Sequence, residues 1–316
     1  MTFPVVYAIK HKNLDVRMAS RSGGIFTALS DVTLKNGGVV YGCVMNGNFE
    51  AHHLRADHSV DRDRMRGSKY VQSNLGNVFS AVKKDLDDGL EVLFTGTSCQ
   101  VAGLKAFLQK DYEKLLCVDI VCHGVPSPLV LEKYINWQES KHGKVSYFDF
   151  RNKADFGWES HVETLVFENG KKINSTVYKN IFFSHTSLRP CCFKCPYKST
   201  VHPGDITIAD YWGIEKAAPE FNDNKGVSLI LVNNKKGGKA FEDASADVEM
   251  KCTKIEESMQ PSLKAPFPEP ANRSDFWIDF HSRDFGYIAK KYGTKSFSFK
   301  LKRKLGRMLK SLKRKG

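Results

Sequence analysis

The stretch Glu91–Gly124, EVLFTGTSCQVAGLKAFLQKDYEKLLCVDIVCHG, decides the fold. EVLFT is a short apolar run that reads as a buried strand. A helix follows near 99–109, and LLCVDIV at 115–121 reads as a second strand. A strand, a helix and a strand in so few residues can pair only as parallel neighbours, because antiparallel partners need no helical crossover. The same alternation continues outward. Ser22-Gly23-Gly24 opens a helical stretch that stops at Gly37-Gly38, VVYGCVM is a strand, and the segment HHLRADH reads as a second strand beside it. A helix near 77–88 ends at Asp87-Asp88-Gly89, and another is expected near 128–141. From Val145 the pattern changes: VSYFDFR, SHVETLVFE and KKINSTVY look like antiparallel strands, followed by the apolar runs DITIADYWG and VSLILVN. The expected fold is α/β, a mixed, largely parallel sheet flanked by helices, with an antiparallel β-rich second half and a basic helical tail. The corresponding regions are 1–144 (α/β), 145–270 (β-rich, carrying a Cys-x-x-Cys loop) and 271–316 (tail).

The 316 residues hold 48 Lys or Arg against 35 Asp or Glu, with 41% hydrophobic and 26% charged residues, the composition of an ordinary globular chain. The charge is uneven. No acid follows Asp284, whereas 12 cations do, leaving 36 cations against 35 acids in residues 1–284. The basic total therefore describes the tail, not the body. In that tail Phe297, Leu301, Leu305, Met308 and Leu312 recur at helical spacing between cations. This is the pattern of an amphipathic helix lying on an anionic membrane surface. A solvated tail is the plain alternative, and nucleic acid is disfavoured because aromatics are not interleaved. No apolar run reaches the roughly 20 residues of a membrane span. MTFPVVYAIKHK lacks the basic leader of a signal peptide. The expected location is cytoplasmic, peripheral at the inner face of the cell membrane.

In that reducing compartment the eight cysteines are expected as thiols. Cys43 and Cys117 lie inside apolar strand runs, as small core residues do. Cys99 and Cys122 each fall at a strand end followed by turn residues, where α/β proteins place functional groups. Cys192 and Cys195 form a Cys-x-x-Cys between Pro190 and Pro196. One such pair with two scattered strand-end cysteines matches an iron–sulfur cluster held by four thiolates. Spacing alone leaves structural zinc and no metal open.

Ser22, Gly23 and Gly24 at a helix start suit a phosphate, since glycine lets the backbone approach and free N–H groups point outward. A Gly-Gly turn before a helix is more often only a cap. No dinucleotide-binding glycine fingerprint or P-loop occurs. RMRGSKYVQS, with Ser68, Lys69, Tyr70 and Gln72, carries side chains able to bond a cofactor's ring edge and phosphates, or to face solvent. His123, beside Cys122, is a candidate proton donor to a reduced substrate, against a structural role in its turn.

The ordered set RSGGIFTAL, RGSKYVQS, GTSCQVAGLK, DIVCHGVPSP, CCFKCPYK and GDITIADYWG resembles the beta-subunit family of coenzyme F420 hydrogenases and dehydrogenases, over roughly residues 15 to 215. The resemblance implies an oxidoreductase carrying FAD and one 4Fe-4S cluster, which passes electrons between a hydride donor or acceptor and one-electron carriers. It implies Cys99, Cys122, Cys192 and Cys195 as cluster ligands, with Cys191 an extra neighbour. It places Ser22, Gly23, Gly24, Ser68, Lys69, Tyr70 and Gln72 around FAD in region 1–144, with Gly96, Thr97 and Gln100 close by. Asp205 and Asp210 match a G-D-x-x-x-x-D pattern expected to help the cluster loop. Many members begin with a ferredoxin-like module, whereas no cysteine precedes Cys43 here. The implied partner is therefore a separate ferredoxin-like electron-donor protein, or a deazaflavin or nicotinamide coenzyme. Ser98 stands where the family usually has Pro, a change expected to loosen the turn. Members of this shape accompany surface-polysaccharide enzymes, so polysaccharide biosynthesis is the implied setting. A non-redox accessory protein of that assembly, with a structural metal site, is the other reading.

Overall fold

A computed structural model describes residues 3–294. Its main sheet has eight strands: β1 Val5–His11, β2 Val39–Met45, β3 Ala51–Ala56, β4 Val92–Thr97, β5 Leu115–Ile120, β9 Ile206–Asp210, β10 Ser228–Val232 and β11 Val248–Thr253. They lie in the order β11-β1-β10-β9-β5-β4-β2-β3. The contiguous block β2-β4-β5-β9 is parallel, and both flanks are antiparallel. A separate antiparallel sheet holds β6 Val145–Asp149, β7 Glu163–Phe167 and β8 Lys172–Ser175. The mixed α/β architecture expected from the alternating pattern is the one observed.

The apolar runs are continuous because the central strands are covered on both faces. Leu93, Val118, Ile206 and Ile230 join Ile25 and Leu29 of the helix Ile25–Lys35 in one core. Their neighbours Val92, Phe94, Leu115 and Cys117 point the other way. They pack with Val82 and Leu86 of the helix Val78–Asp87 and with Val101 and Leu104 of the helix Ser98–Leu108. A third core joins the helix Pro128–His142 to the small sheet through Tyr134, Phe148, Leu165 and Tyr178.

Two boundaries differ from the sequence reading. Strands β9, β10 and β11 lie beyond residue 145, yet they complete the sheet begun by β1–β5. Strand periodicity shows that a run is buried but not which sheet receives it, so a cut at 144 divides one sheet. The segment set apart from 271 is also not a tail at its start. Phe276, Phe280, Phe285 and Ile288, on the helices Arg273–Ser282 and Phe285–Lys291, are buried in the third core. Charge counting hid these apolar positions. The amphipathic stripe from Phe297 to Leu312 lies outside the described residues. Among the described residues no helix is long and apolar enough to cross a membrane.

Gly23 shows how tightly this sheet is closed. A Cβ there would sit 2.1 Å from the Ile9 carbonyl oxygen and 2.6 Å from the Ser228 amide nitrogen, both backbone atoms of strands in the sheet. Gly37, at φ +74, has open space around it. Gly23→Ala should therefore destabilise by more than about 3 kcal/mol through overpacking. Gly37→Ala should lose only the roughly 1–2 kcal/mol of left-handed strain. Chemical denaturation of the two variants checks the contrast, and equal losses would contradict it.

Candidate functional site

Parallel strands end on the same side, so β2, β4, β5 and β9 deliver their following loops to one carboxyl edge, where α/β sheets bind ligands. The register sets the levels along that edge: Thr97 pairs with Ile120, and Ile120 with Ile208. The turn after β4 then carries Cys99, the turn after β5 carries Cys122, and the end of β9 carries Asp210 and Trp212. Ser22-Gly23-Gly24 reaches the same edge through the start of β10, where Ser228 pairs with Asp210.

The four predicted cysteines are brought together as electrostatic neighbours. Burial pushes the Cys122 thiol up to about 12, and the nearby Cys192 and Cys99 add to the rise. Burial, with Cys191 and Cys99, pushes Cys192 up to about 11. Burial raises Cys195 too, with Cys99 and Cys191 close by. Cys122 Sγ accepts the Gly124 N–H at 3.3 Å, and Cys99 Sγ lies 3.1 Å from Thr97 Oγ1, whose own hydroxyl reaches Gln100 Oε1 at 3.2 Å. The buried ammonium of Lys198 lies near Cys122, Cys195 and Cys192. Cys191 is exposed, whereas Cys192 is half-buried. Among the described residues no three His, Cys, Asp or Glu side chains stand close enough to hold a single metal ion.

Ser98 does not loosen its turn. It is buried, and its hydroxyl lies 3.2 Å from His202 Nδ1, which is 3.0 Å from the fully buried Asp119. This polar chain takes over the restraint that a proline would supply.

The loop at residues 68–73 is tied to all three cysteine loops. Gln72 accepts from Arg189, its backbone N–H reaches the Pro126 carbonyl at 3.3 Å, and Ser73 accepts from Gln100 Nε2 at 2.8 Å. Gln100 also accepts the Thr97 N–H at 3.0 Å, and a Cβ on Gly96 would meet its oxygen at 3.0 Å. Tyr70 packs its ring against Phe150 and Phe182 and accepts from Arg151 at 3.2 Å. Ser68 is exposed. The Lys69 ammonium donates to the carbonyls of Arg64, Met65 and Arg66, and burial lowers its pKa to about 8. On the far side, the Ser22 hydroxyl donates to Val227 at 2.6 Å and the Gly23 N–H to Ser228 at 2.9 Å. Those two donors are committed to β10 and the residue before it, which leaves Gly24 (φ +95) to open the helix.

His123 is boxed by Phe182, Phe183 and Phe267, with its Nε2 2.8 Å from His185 Nε2. Burial, then His185 and Lys198, push its pKa down to about 3, so the ring is neutral at pH 7.

Sequence reading missed the residues between the cysteines and the Ser22 loop. Arg151 is buried and donates to Asp210 at 2.7 Å, to the Trp158 carbonyl at 2.7 Å and to the Ser160 carbonyl at 3.1 Å. Trp158 also donates its indole N–H to Asp210 at 2.8 Å and stacks on Trp212, with centroids 5.0 Å apart. Asp205 and Asp210 were expected near the cluster loop. Asp205 instead accepts the Cys117 N–H at 2.8 Å and Asn234 at 2.8 Å, which braces β5, while Asp210 holds Arg151. A cavity lined by Tyr70, Arg151, His161, Glu163, Tyr178 and Phe182 opens there. Only the spacing of the two aspartates signalled this region, and it did not name their partners.

Residues 89–258 match the family model that describes the C-terminal part of coenzyme F420 hydrogenase/dehydrogenase beta subunits. The chain belongs to this family. The F420 hydrogenase/dehydrogenase match covers all four site cysteines, Asp119, Arg151 and Asp210, whereas the Ser22 and Tyr70 loops precede it. The chain is thus an oxidoreductase of the beta-subunit type. Among solved structures, one described as a xenon derivative of the F420-reducing NiFe hydrogenase complex from Methanosarcina barkeri aligns with TM-score 0.55 at 21% identity, covering 79% of this chain and 82% of that chain. At that identity the likeness is one of fold. No curated protein matches the chain.

The Asp210 pair yields a direct test. Burial opposes ionisation of Asp210, but Arg151, Arg21 and the Trp158 N–H outweigh it and hold the carboxyl below its ordinary value. Its stabilising effect is present at neutral pH and is lost as pH falls through the depressed folded value. Asp210→Asn should cost about 3 kcal/mol at pH 7 by stranding a buried guanidinium. The deficit against wild type should shrink as pH falls below about 4, where the aspartate of the unfolded chain begins to protonate while the folded one is still held ionised. Urea denaturation at several pH values measures both, and a pH-independent deficit would contradict the assignment.

Proposed function

We propose that this chain is a flavin- and iron–sulfur-dependent oxidoreductase that passes electrons between a hydride donor or acceptor and one-electron carriers. The observation that supports the reading is the gathering of Cys99, Cys122, Cys192 and Cys195 as neighbours at the carboxyl edge. Neutral thiols are weak acceptors, so the Gly124 N–H aimed at Cys122 Sγ suits a thiolate there. Four thiolates offered from scattered loops are the ligand set of one 4Fe-4S cluster. Because burial raises Cys122, Cys192 and Cys195, loading a cluster on them would displace protons. Cys192 rather than Cys191 is the proposed ligand, since it lies beside Cys122 and Cys99 while Cys191 faces solvent.

FAD is the proposed hydride-exchanging group, beside Tyr70, Gln72 and Gln100. Bound there, a flavin takes two electrons as hydride and returns them singly. The chain's own residues do the rest. Gln72, Ser73 and Gln100 lock the loop at 68–73 to the cysteine loops, which holds the two sites at a constant separation. The hydrogen bonds to sulfur set the cluster's potential. His123 is neutral in its aromatic box and bonded to His185, which favours a structural role beside the Cys122 turn over proton donation. The proposed partners are a ferredoxin-like protein or a deazaflavin or nicotinamide coenzyme. The proposed setting is surface-polysaccharide biosynthesis at the inner membrane face, with residues 295–316 as the anchor.

Anaerobically purified protein should contain about four iron atoms and four sulfides per chain, together with flavin. Cys195→Ser should lose most of the iron while keeping the fold. A colourless protein with stoichiometric zinc, or unchanged iron in the variant, would overturn the reading.

A further inference from the structure

Between the Ser22 loop and the cysteines, two guanidinium groups lie near one carboxylate, which pairs with Arg151. Arg21 donates to the carbonyls of Arg151 and Trp158, the latter at 3.3 Å, and its Nε–H is buried without a partner. His161 stacks on Trp212 at 5.8 Å, and its Nδ1 is likewise buried and unpartnered. Asp210 accepts from Arg151 at 2.7 Å, and Arg21 lies near enough to favour its charge. Burial and the nearness of Arg151 disfavour the charge on Arg21. Lys153 packs alongside with its amine on the carbonyls of Arg17, Ser22 and Lys225, and burial with the nearby arginines pushes its pKa down to about 7. The other acids at hand are engaged. Glu163 accepts from the Tyr134 hydroxyl and from the N–H groups of Tyr178 and Lys179, while Asp149 accepts the Arg151 N–H.

An unpaired buried N–H beside a repelling cation is costly. The ligand that relieves both faults is an oxyanion, which accepts several charged hydrogen bonds at once. The place suits one. It adjoins a glycine-bearing loop at the carboxyl edge and opens on the cavity lined by Tyr70, Arg151 and His161. We propose that Arg21, Arg151 and His161 form a binding site for a phosphate or diphosphate group. The site stands on its own geometry and rests on the redox reading only for whose phosphate it takes, the flavin's or the hydride-exchanging substrate's.

The test is titration of the full-length protein with inorganic pyrophosphate, read by calorimetry and phosphorus NMR. Saturable binding is expected, weakened about tenfold or more in Arg21→Gln. Arg21→Lys should be intermediate, and the remote Lys84→Gln should match wild type. His161→Gln should also weaken binding, and it carries the test if Arg21→Gln does not fold. If FAD displaces pyrophosphate and riboflavin does not, the phosphate is the flavin's. If FAD-loaded protein still binds pyrophosphate, the phosphate is the substrate's. Both results support the site. Absence of saturable binding, or unchanged affinity in folded Arg21→Gln and His161→Gln, overturns it. Because the titration needs no cofactor, a colourless protein would refute the redox reading and leave this test intact.

Discussion

Parallel pairing of β4, β5 and β9 is the constraint on which the rest of the molecule depends. The pairings Thr97 with Ile120 and Ile120 with Ile208 bring three strand ends to nearly the same level. Cys99, Cys122 and Asp210 follow those ends by a few residues, so their spacing is inherited from backbone hydrogen bonds. A slip of one residue would turn Leu93 and Val118 out of one core and Phe94 and Cys117 out of the other. The same packing that stabilises the sheet thus protects the geometry of the site.

A second layer of control is polar. Asp205 braces β5, Asp119 and His202 restrain the turn at Ser98, and Gln72, Ser73 and Gln100 tie the loops together. Arg151 joins the small sheet to the main one by following β6 and binding Asp210 at the end of β9. Such buried networks are costly when half satisfied and rigid when complete. Most members here are complete. Arg21 Nε and His161 Nδ1 are buried nitrogens without partners, and His161 lines the cavity, where a ligand rather than the protein is available to supply the partner.

Much of this was legible in the residues. The alternation of apolar runs with helical stretches placed the strands and helices of the first half, because covered strands read as continuous apolar segments. Cys99 and Cys122 were marked by their positions at strand ends, and Cys192 and Cys195 by their spacing. The network around Arg151 was not legible. Arg21, Arg151, Trp158, His161 and Asp210 come from distant parts of the chain, and no periodicity links a lone arginine to a remote aspartate.

Sequence alone determined the α/β class, the residues that form most of the strands, the identity of the thiols and the separation of a neutral body from a basic tail. Those properties depend on local pattern and composition. Only the tertiary structure decided that β9, β10 and β11 close the first half's sheet, that residues 273–291 are core, and that Arg21 and His161 lack acceptors next to Asp210. Those outcomes depend on which distant surfaces meet, and that is settled by packing and charge compensation between elements far apart in the chain.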